Sequence, residues 1–289
     1  MVTSAFAYHA PTSVSEAARL LAEHGDDAKL LAGGHSLIPL MKLRLSEPGV
    51  LIDLGKVEGM SYIREADGGG LAIGAMTTYS DLQSSDLVQN AAPVLADAAG
   101  QVADAQVRNM GTLGGSLAHS DPAGDMPAVA IALNAELVTS STGGHRTIGI
   151  DDFFVDLLTT SLEPNEILNE IRIPALAAGS GSAYAKFGNK ASHYAIVGVA
   201  VVVTVDGSGN CSGASIGVTG AGPTAVRASD AEAALVGSSL DDDAINAAAG
   251  AAGNGIEFNE DVHASSDFRA HLTSVYAGRA IRAAIANAG

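Results

Sequence analysis

Two pairs of adjacent glycines, each flanked by hydroxyl side chains, constrain this sequence more than any other feature. The first pair lies in Ala32-Gly33-Gly34-His35-Ser36, and the second in Thr112-Leu113-Gly114-Gly115-Ser116. Glycine adopts positive φ angles and lets the backbone approach a ligand without an intervening Cβ. Two in succession can direct several N–H groups into one concavity that binds an anion. Each motif alone also fits an ordinary strand-to-helix turn, so their repetition is what favours a phosphate site.

The acidic composition indicates how such a phosphate would be held. The chain has 15 Lys and Arg against 32 Asp and Glu, a formal charge of −17. This balance disfavours nucleic acids and anionic membrane surfaces as partners, because both attract clustered cations. A phosphate would depend instead on local backbone dipoles. Neither motif matches the Gly-x-Gly-x-x-Gly fingerprint or a P-loop, which disfavours a Rossmann dehydrogenase and an ATPase.

The first motif is predicted to join a strand to a helix within a small parallel βαβ unit over residues 15–55. The capping box Ser13-Val14-Ser15-Glu16 starts the preceding helix. A strand over 28–31, a helix over 37–45 and a strand over 50–54 follow from the apolar spacing. The first glycine pair therefore falls where backbone donors are free, just before a helix.

The rest of the chain is predicted to form hairpins, further helices and a second domain. The small residues 175–182 are expected to be an unstructured boundary between domains. The remaining predicted elements are a hairpin of 61–64 and 71–75, helices at 79–87, 92–102 and up to 133, strands at 136–139, 145–148 and 167–173, a hairpin of 195–205 and 212–219, and helices at 229–235, 241–252 and 267–286.

Several kinds of site are excluded by the residues that the chain lacks. Cys211 is the only cysteine, so this chain has no disulfide of its own, no cysteine-ligated iron–sulfur cluster and no Cys-type zinc site. The eight histidines show no metal-binding spacing, and no Ser/His/Asp order indicates a catalytic triad. No apolar run is long enough to span a membrane and no secretory pattern opens the chain, so we expect a cytoplasmic location.

The two glycine motifs belong to a longer set of motifs that resembles the FAD-binding subunits of molybdenum hydroxylases, particularly those of the carbon monoxide dehydrogenase type. The resemblance covers nearly the whole chain. Besides both glycine motifs it rests on Ile52-Asp53-Leu54, Ile73-Gly74-Ala75-Met76-Thr77-Thr78, Arg108-Asn109-Met110-Gly111, Asp121-Pro122, Asp125-Met126-Pro127 and Ile171-Arg172-Ile173-Pro174.

The resemblance implies an α+β fold in two domains. Residues 1–176 would form a two-lobed FAD-binding domain of the vanillyl-alcohol-oxidase (PCMH) type, with FAD between its lobes. Residues 177–289 would form a small C-terminal domain of antiparallel sheet and helical bundle.

The resemblance also implies which residues bind FAD. Ala32, Gly33, Gly34, His35 and Ser36, together with Thr112, Gly114, Gly115 and Ser116, would hold the pyrophosphate. Asp125 would bond the ribitol or ribose side, Leu168 and Lys186 would line the isoalloxazine, and Tyr194 would cover one face of that ring. Lys186 would also stabilise the reduced flavin. Ser116 departs from the Asn that is common at its position, and Leu113 from Ile. His35 is expected to bind FAD without a covalent bond.

The function implied is electron transfer within a larger enzyme. A molybdenum-bearing large subunit would oxidise the substrate, and a small subunit with two [2Fe–2S] clusters would pass electrons to FAD on this chain. An external acceptor such as a quinone would receive them, which could bring the complex to the inner face of the membrane. The expected assembly is a dimer of heterotrimers.

Three other readings stay open at this point. The chain could serve another molybdenum hydroxylase that acts on an N-heterocycle, a purine or an aldehyde, because a different polypeptide selects the substrate. It could be a self-contained flavin oxidase, which the lack of an obvious substrate-binding base disfavours. It could also be a scaffold protein without FAD, although its intact glycine motifs argue against that.

Overall fold

A computed structural model describes residues 2–288 as two domains, which share part of one apolar core. The strands are β1 Ala7–His9, β2 Ala28–Leu31, β3 Val50–Asp53, β4 Ile63–Glu65, β5 Leu71–Gly74, β6 Glu136–Ser141, β7 Gly144–Gly149, β8 Phe154–Asp156, β9 Thr159–Thr160, β10 Ile167–Ile173, β11 Ser180–Gly188, β12 Ala195–Val205, β13 Cys211–Thr219 and β14 Val226–Arg227. The helices are α1 Val14–His24, α2 Leu37–Lys42, α3 Tyr79–Ser84, α4 Asp86–Ala91, α5 Pro93–Gln101, α6 Ala105–Arg108, α7 Leu113–His119, α8 Asp125–Ala132, α9 Ser229–Leu235, α10 Asp242–Ala251 and α11 Ser266–Ala286.

The first domain has two lobes, each built on its own sheet. Strands β1, β3 and β2 form a parallel sheet in that order, which confirms the predicted βαβ unit. Strands β4, β5, β10, β6 and β7 form an antiparallel sheet, with the predicted hairpin at one edge. The Ser13 hydroxyl accepts from the Glu16 amide and caps α1, as the capping box predicts.

The C-terminal domain is a four-stranded antiparallel sheet, β11-β12-β13-β14, with α9 and α11 packed on it and α10 packed against these two helices. Together with the mixed lobes of the first domain, this confirms the α+β prediction. On its other side the sheet meets α8 of the first domain so closely that a Cβ at Gly217 would overlap the Ala128 carbonyl oxygen. Tyr184, Ala200 and Val202 belong to the same apolar cluster as the core of the first domain.

The stretch 175–182 corrects one sequence prediction. Its small residues predict an unstructured boundary, and residues 175–179 do lie outside the helices and strands, but β11 begins at Ser180 and runs along β12. The reason is close packing against α11, because a Cβ at Gly181 would overlap the Ala284 carbonyl oxygen. Small side chains here therefore mark a helix lying directly on a strand.

Further elements differ from the predictions. The helix expected over 79–87 is interrupted at Ser85, between α3 and α4, and the elements β8, β9, β14, α6 and α7 were not predicted. The helix expected over 37–45 ends at Lys42, and Arg44 takes a left-handed conformation with φ of 59°. The short strand β1 was not predicted, because three residues with little burial carry no apolar pattern. Across residues 2–288, no helix is both long and apolar enough to cross a membrane.

Candidate cofactor-binding site

A cavity of about 620 Å³ lies between the two lobes and is lined by both glycine motifs. Its volume is in the range typical of small-molecule and cofactor sites. Of the thirteen residues predicted to bind the cofactor, twelve line this cavity. They are Ala32, Gly33, Gly34, His35, Ser36, Thr112, Gly114, Gly115, Ser116, Asp125, Leu168 and Tyr194.

The first motif presents unpaired backbone donors at the cavity. It connects β2 to α2, and Gly34 makes the turn with φ of +76°. Within residues 2–288, the amides of 33–36 have no hydrogen-bond acceptor. Four consecutive unpaired amides in a cavity wall can bind an anion even in a protein of strongly negative charge.

The second motif has a different role from the one its sequence predicts. Its glycines lie in the first turn of α7, and the amides of 113–116 already have acceptors. Leu113 and Gly114 donate to the carbonyls of Thr77 (3.0 Å) and Ala75 (2.9 Å). Gly115 donates to the Thr112 hydroxyl at 3.1 Å, and Ser116 donates to the Thr112 carbonyl. The predicted second nest of free amides is therefore wrong, and this motif offers hydroxyl groups to the cavity instead.

The glycines also let the two motifs touch. A Cβ at Gly33 would overlap the Met110 carbonyl oxygen, so this glycine packs against the segment just before the second motif. A Cβ at Gly114 would overlap Ala75 in the same way, while one at Gly115 would meet the Cβ of Ala32 at 3.3 Å. Gly33 and Gly114 are therefore required because neighbouring protein segments pack against them. The sequence had instead suggested that their backbone approaches a ligand.

Tyr79 is a cavity residue that sequence reasoning missed. It follows Thr78, which forms an isolated bridge with Thr112, and this pairing brings its ring to the second motif. Burial raises the pKa of Tyr79 to about 12, and the Ser116 hydroxyl acts in the opposite direction. Tyr79 therefore stays protonated at neutral pH and can donate a hydrogen bond. The long-range pairing that places it leaves no local signal in the sequence.

Asp125 lines the cavity, but its carboxylate is largely occupied by protein partners. The Tyr184 hydroxyl donates to it at 2.5 Å, and the Lys186 ammonium lies 3.0 Å away. Burial raises the pKa of Asp125, while the charge of Lys186 and both hydrogen bonds oppose the rise. The paired ammonium thus favours the ionised carboxylate.

Lys186 does not lie where the resemblance implied. It is absent from the cavity lining, and its ammonium donates to the carbonyls of Gln101 (2.8 Å) and His193 (2.9 Å) as well as to Asp125. Only 7% of its side chain is exposed. With three protein acceptors for its three protons, Lys186 is held behind the wall, so the expectation that it lines the isoalloxazine is not supported by its position.

Leu168 and Tyr194 come from different domains and meet the same cavity. Leu168 is buried in β10, next to an irregularity in the pairing of that strand with β6. Tyr194 stands just before β12 and is 45% exposed. Burial raises the pKa of Tyr194, and the Ser36 hydroxyl of the first motif acts in the opposite direction. The C-terminal domain therefore supplies part of the cavity wall.

The loop between α7 and α8 is also held by the C-terminal domain. The Thr219 hydroxyl lies within hydrogen-bonding distance of the carbonyls of Pro122 (2.9 Å) and Gly124 (2.7 Å) and donates to one of them at a time. The Ala195 amide donates to the carbonyl of Ala123 at 3.1 Å. Asp121 and Gly124 of this loop line the cavity. Across residues 2–288, no group of three or more His, Cys, Asp or Glu side chains is arranged to hold a metal ion.

Comparison with known proteins agrees with this architecture. Residues 4–176 match the family described as the FAD-binding domain in molybdopterin dehydrogenase, and residues 182–284 match the carbon monoxide dehydrogenase flavoprotein C-terminal domain. A carbon monoxide dehydrogenase medium chain from Hydrogenophaga pseudoflava is 44% identical over 98% of each chain. The 6-hydroxypseudooxynicotine dehydrogenase complex subunit alpha from Paenarthrobacter nicotinovorans is 41% identical over 99% of this chain and 96% of its own length.

Solved structures show the same similarity over the whole fold. In the structure of carbon monoxide dehydrogenase from Hydrogenophaga pseudoflava that lacks the Mo-pyranopterin moiety, one chain superposes with a TM-score of 0.97, 46% identity and full coverage of both chains. The α+β fold, the cavity lined by both glycine motifs and the two family matches therefore all indicate the same family. The chain belongs to the family of FAD-binding subunits of molybdenum hydroxylases, a family of oxidoreductases with FAD as the cofactor of this subunit.

Proposed function

We propose that this chain is the electron-transfer subunit of an aerobic, molybdenum-containing carbon monoxide dehydrogenase. It would receive electrons from the [2Fe–2S] clusters of a partner subunit and pass them to an external acceptor such as a quinone. The run of four unpaired amides at 33–36 in the wall of a cavity of suitable size supports the FAD site, and the observation that carries the assignment to carbon monoxide is the 44% identity to a carbon monoxide dehydrogenase medium chain. Bound FAD supplies a carrier that accepts electrons singly or in pairs, and the protein binds and orients it.

The geometry supports different roles for the predicted FAD-binding residues, each toward one part of the cofactor. The amides of the first motif would hold the pyrophosphate, and the hydroxyls of Ser36, Thr112 and Ser116 would add polar contacts. Asp125 keeps accepting capacity toward the ribitol or ribose side, because a carboxylate has about four lone-pair sites. Leu168 and Tyr194 would lie against the isoalloxazine, which fits their apolar and aromatic surfaces.

The proposed partners follow the same family relationship. A molybdenum-bearing large subunit would oxidise the substrate, and an iron–sulfur small subunit would relay electrons within a dimer of heterotrimers. The complex would be cytoplasmic, and delivery to a quinone would place it beside the inner face of the membrane.

A second candidate function is electron transfer in a molybdenum hydroxylase that oxidises an N-heterocycle, or else a purine or an aldehyde. The observation that favours it is the 41% identity to the 6-hydroxypseudooxynicotine dehydrogenase subunit, which is close to the 44% for the carbon monoxide dehydrogenase chain. In this proposal the flavin subunit does not select the substrate. The identity of this chain to the two relatives therefore distinguishes poorly between carbon monoxide and an N-heterocycle as the substrate.

Purification of the native complex from its host tests the proposed function directly. We expect two partner subunits, molybdenum and iron to co-purify with this chain, and anaerobic carbon monoxide to bleach the flavin absorption near its visible maximum. Bleaching by an N-heterocycle, a purine or an aldehyde but not by carbon monoxide would replace the proposed substrate with the second class. A colourless chain without partners would refute the electron-transfer role altogether.

We expect the flavin to leave the protein on acid denaturation. His35 is exposed at the cavity, in a motif whose unpaired backbone amides are available to hold phosphate without a covalent bond. After trichloroacetic acid precipitation, the yellow colour should therefore appear in the supernatant, as absorption spectroscopy would show. As a control, a His35→Ala variant should release the same fraction. Flavin that stays in the pellet of the wild type but not of the variant would show a covalent bond to His35.

A further inference from the structure

Lys186 was predicted to contact the flavin, but it lies behind the cavity wall. Its hydrogen bonds indicate that it holds neighbouring segments in position. Its ammonium joins three segments, since its acceptors lie at the end of α5, at the start of α8 and in the loop between β11 and β12. The bonds to Gln101 and Asp125 span 85 and 61 residues of sequence. An ammonium buried among such acceptors fixes their relative positions, because leaving any of them unpaired costs free energy.

The loop that follows Lys186 carries Tyr194 and lies on the surface. Residues 190–194 are exposed, and His193 has a left-handed conformation with φ of 62°, which is unfavourable for a residue with a side chain. Asn189 organises the loop from within, accepting from the amides of Ala191 (2.8 Å) and His193 (2.8 Å). The Asn189 amide also donates to the Tyr194 carbonyl at 2.8 Å, and its side-chain amide lies 3.3 Å from the His263 ring, so this residue closes the base of the loop.

The bond from Lys186 to the His193 carbonyl ties the tip of the loop to a buried side chain, one residue before Tyr194. On the far side of Tyr194, the Ala195 amide is fixed to the Ala123 carbonyl. Tyr194 is thus held from both sides, with its ring in the cavity lining beside Ser36.

We propose that Lys186 is a positioning residue, whose ammonium clamps the His193 carbonyl and thereby holds Tyr194 at the mouth of the flavin cavity. This inference rests on the proposed FAD site, which it deepens. Lys186 acts on the cofactor through Tyr194, and Asp125 keeps the ammonium in place as its counter-charge.

The first test measures the loop without cofactor. In FAD-free protein, Lys186→Met should raise the hydrogen-exchange rates of the amides in 189–194 about tenfold, since the bond to the His193 carbonyl is lost. Amides of α10, which is remote from the clamp, should be unchanged. Lys190→Met is the matched control, because it removes an exposed ammonium from the same loop, and it should leave exchange as in the wild type. Unchanged loop exchange in Lys186→Met would overturn the proposal, whether or not the chain binds FAD.

The second test separates positioning from direct contact through FAD affinity. Tyr194→Leu and Lys186→Met should each weaken FAD binding about tenfold, and the double variant should be no weaker than Tyr194→Leu alone, because both remove one function. Additive losses would show that Lys186 acts independently of Tyr194 and would overturn the clamp. A wild-type chain that binds no FAD would refute the proposed function while leaving the exchange result to decide the clamp.

If Lys186→Met fails to fold, a second pair of variants tests the same proposal. That variant leaves the Asp125 carboxylate buried without its counter-charge, which strongly destabilises proteins. Asp125→Asn/Lys186→Met removes both charges, with Asp125→Asn alone as its reference. In this neutral background the loss of Lys186 should still raise loop exchange about tenfold, and equal exchange in the two variants would contradict the proposal.

Discussion

A Gly34→Val variant is expected to fold but to bind FAD roughly a hundredfold or more weakly. Gly34 has φ of +76°, and valine is strongly disfavoured in that region, so the peptide would rotate. This rotation would turn the unpaired amides of the first motif away from the position of the phosphate. Hydrogen bonds to a charged group contribute about 1.5–3 kcal/mol each, so losing two reaches a hundredfold loss in affinity. Equilibrium dialysis with FAD measures the change, and circular dichroism checks the fold.

Gly255→Val is the matched control for this experiment. Gly255 has the same φ of +76°, with open space around the position of a Cβ, and lies outside the cavity in the C-terminal domain. It carries a similar backbone strain of about 1–3 kcal/mol without touching the first motif. We expect wild-type FAD affinity from this variant. If both variants lost FAD equally, general destabilisation would explain the result and the amide run would lose its assigned role.

A large loss of stability is expected from Gly217→Val, where the two domains meet. The new Cβ would overlap the Ala128 carbonyl oxygen of α8, and backbone on both sides leaves no flexible atom to move away. Overpacking of this kind costs typically 1–3 kcal/mol and sometimes more, and we expect about 3 kcal/mol or more here. Urea denaturation gives the free energy of unfolding.

Gly213→Val supplies the comparison within the same strand. Its Cβ would lie 3.7 Å from the Thr204 hydroxyl oxygen, an ordinary contact, and valine suits a strand better than glycine does. The free energy of unfolding should therefore stay within about 0.5 kcal/mol of the wild type. Equal unfolding midpoints for the two variants would show that the sheet can move away from α8, contrary to the close packing described above.

The features that sequence predicted well are those with local causes. Ser13 and Glu16 lie three residues apart and form their capping interaction within one helical turn. The turn at 206–209 joins two long apolar strands, whose pairing β12 and β13 confirm. Family resemblance extended such local patterns to the cavity, where it correctly predicted the lining by both glycine motifs. The cofactor contacts themselves stay predictions.

The features that sequence missed depend on partners far away in the chain. Nothing near Gly114 indicates that its amide donates to Ala75, so the second motif looked like a second nest. Lys186 gave no sign of its three acceptors, two of which lie more than sixty residues away. The small residues around Gly181 suggested disorder because the helix that requires them, α11, comes about a hundred residues later.

The attachment of the loop between α7 and α8 to Thr219 has a consequence for the order of folding. The contacts of the Thr219 hydroxyl with the carbonyls of Pro122 and Gly124 close loops of 97 and 95 residues, so they form only after the C-terminal sheet has been synthesised. Contacts of such high sequence separation are slow to form because a large entropy of loop closure opposes them. One wall of the cavity is thus completed late. During translation the first domain emerges before this wall exists, and we expect tight cofactor uptake to follow release of the finished chain.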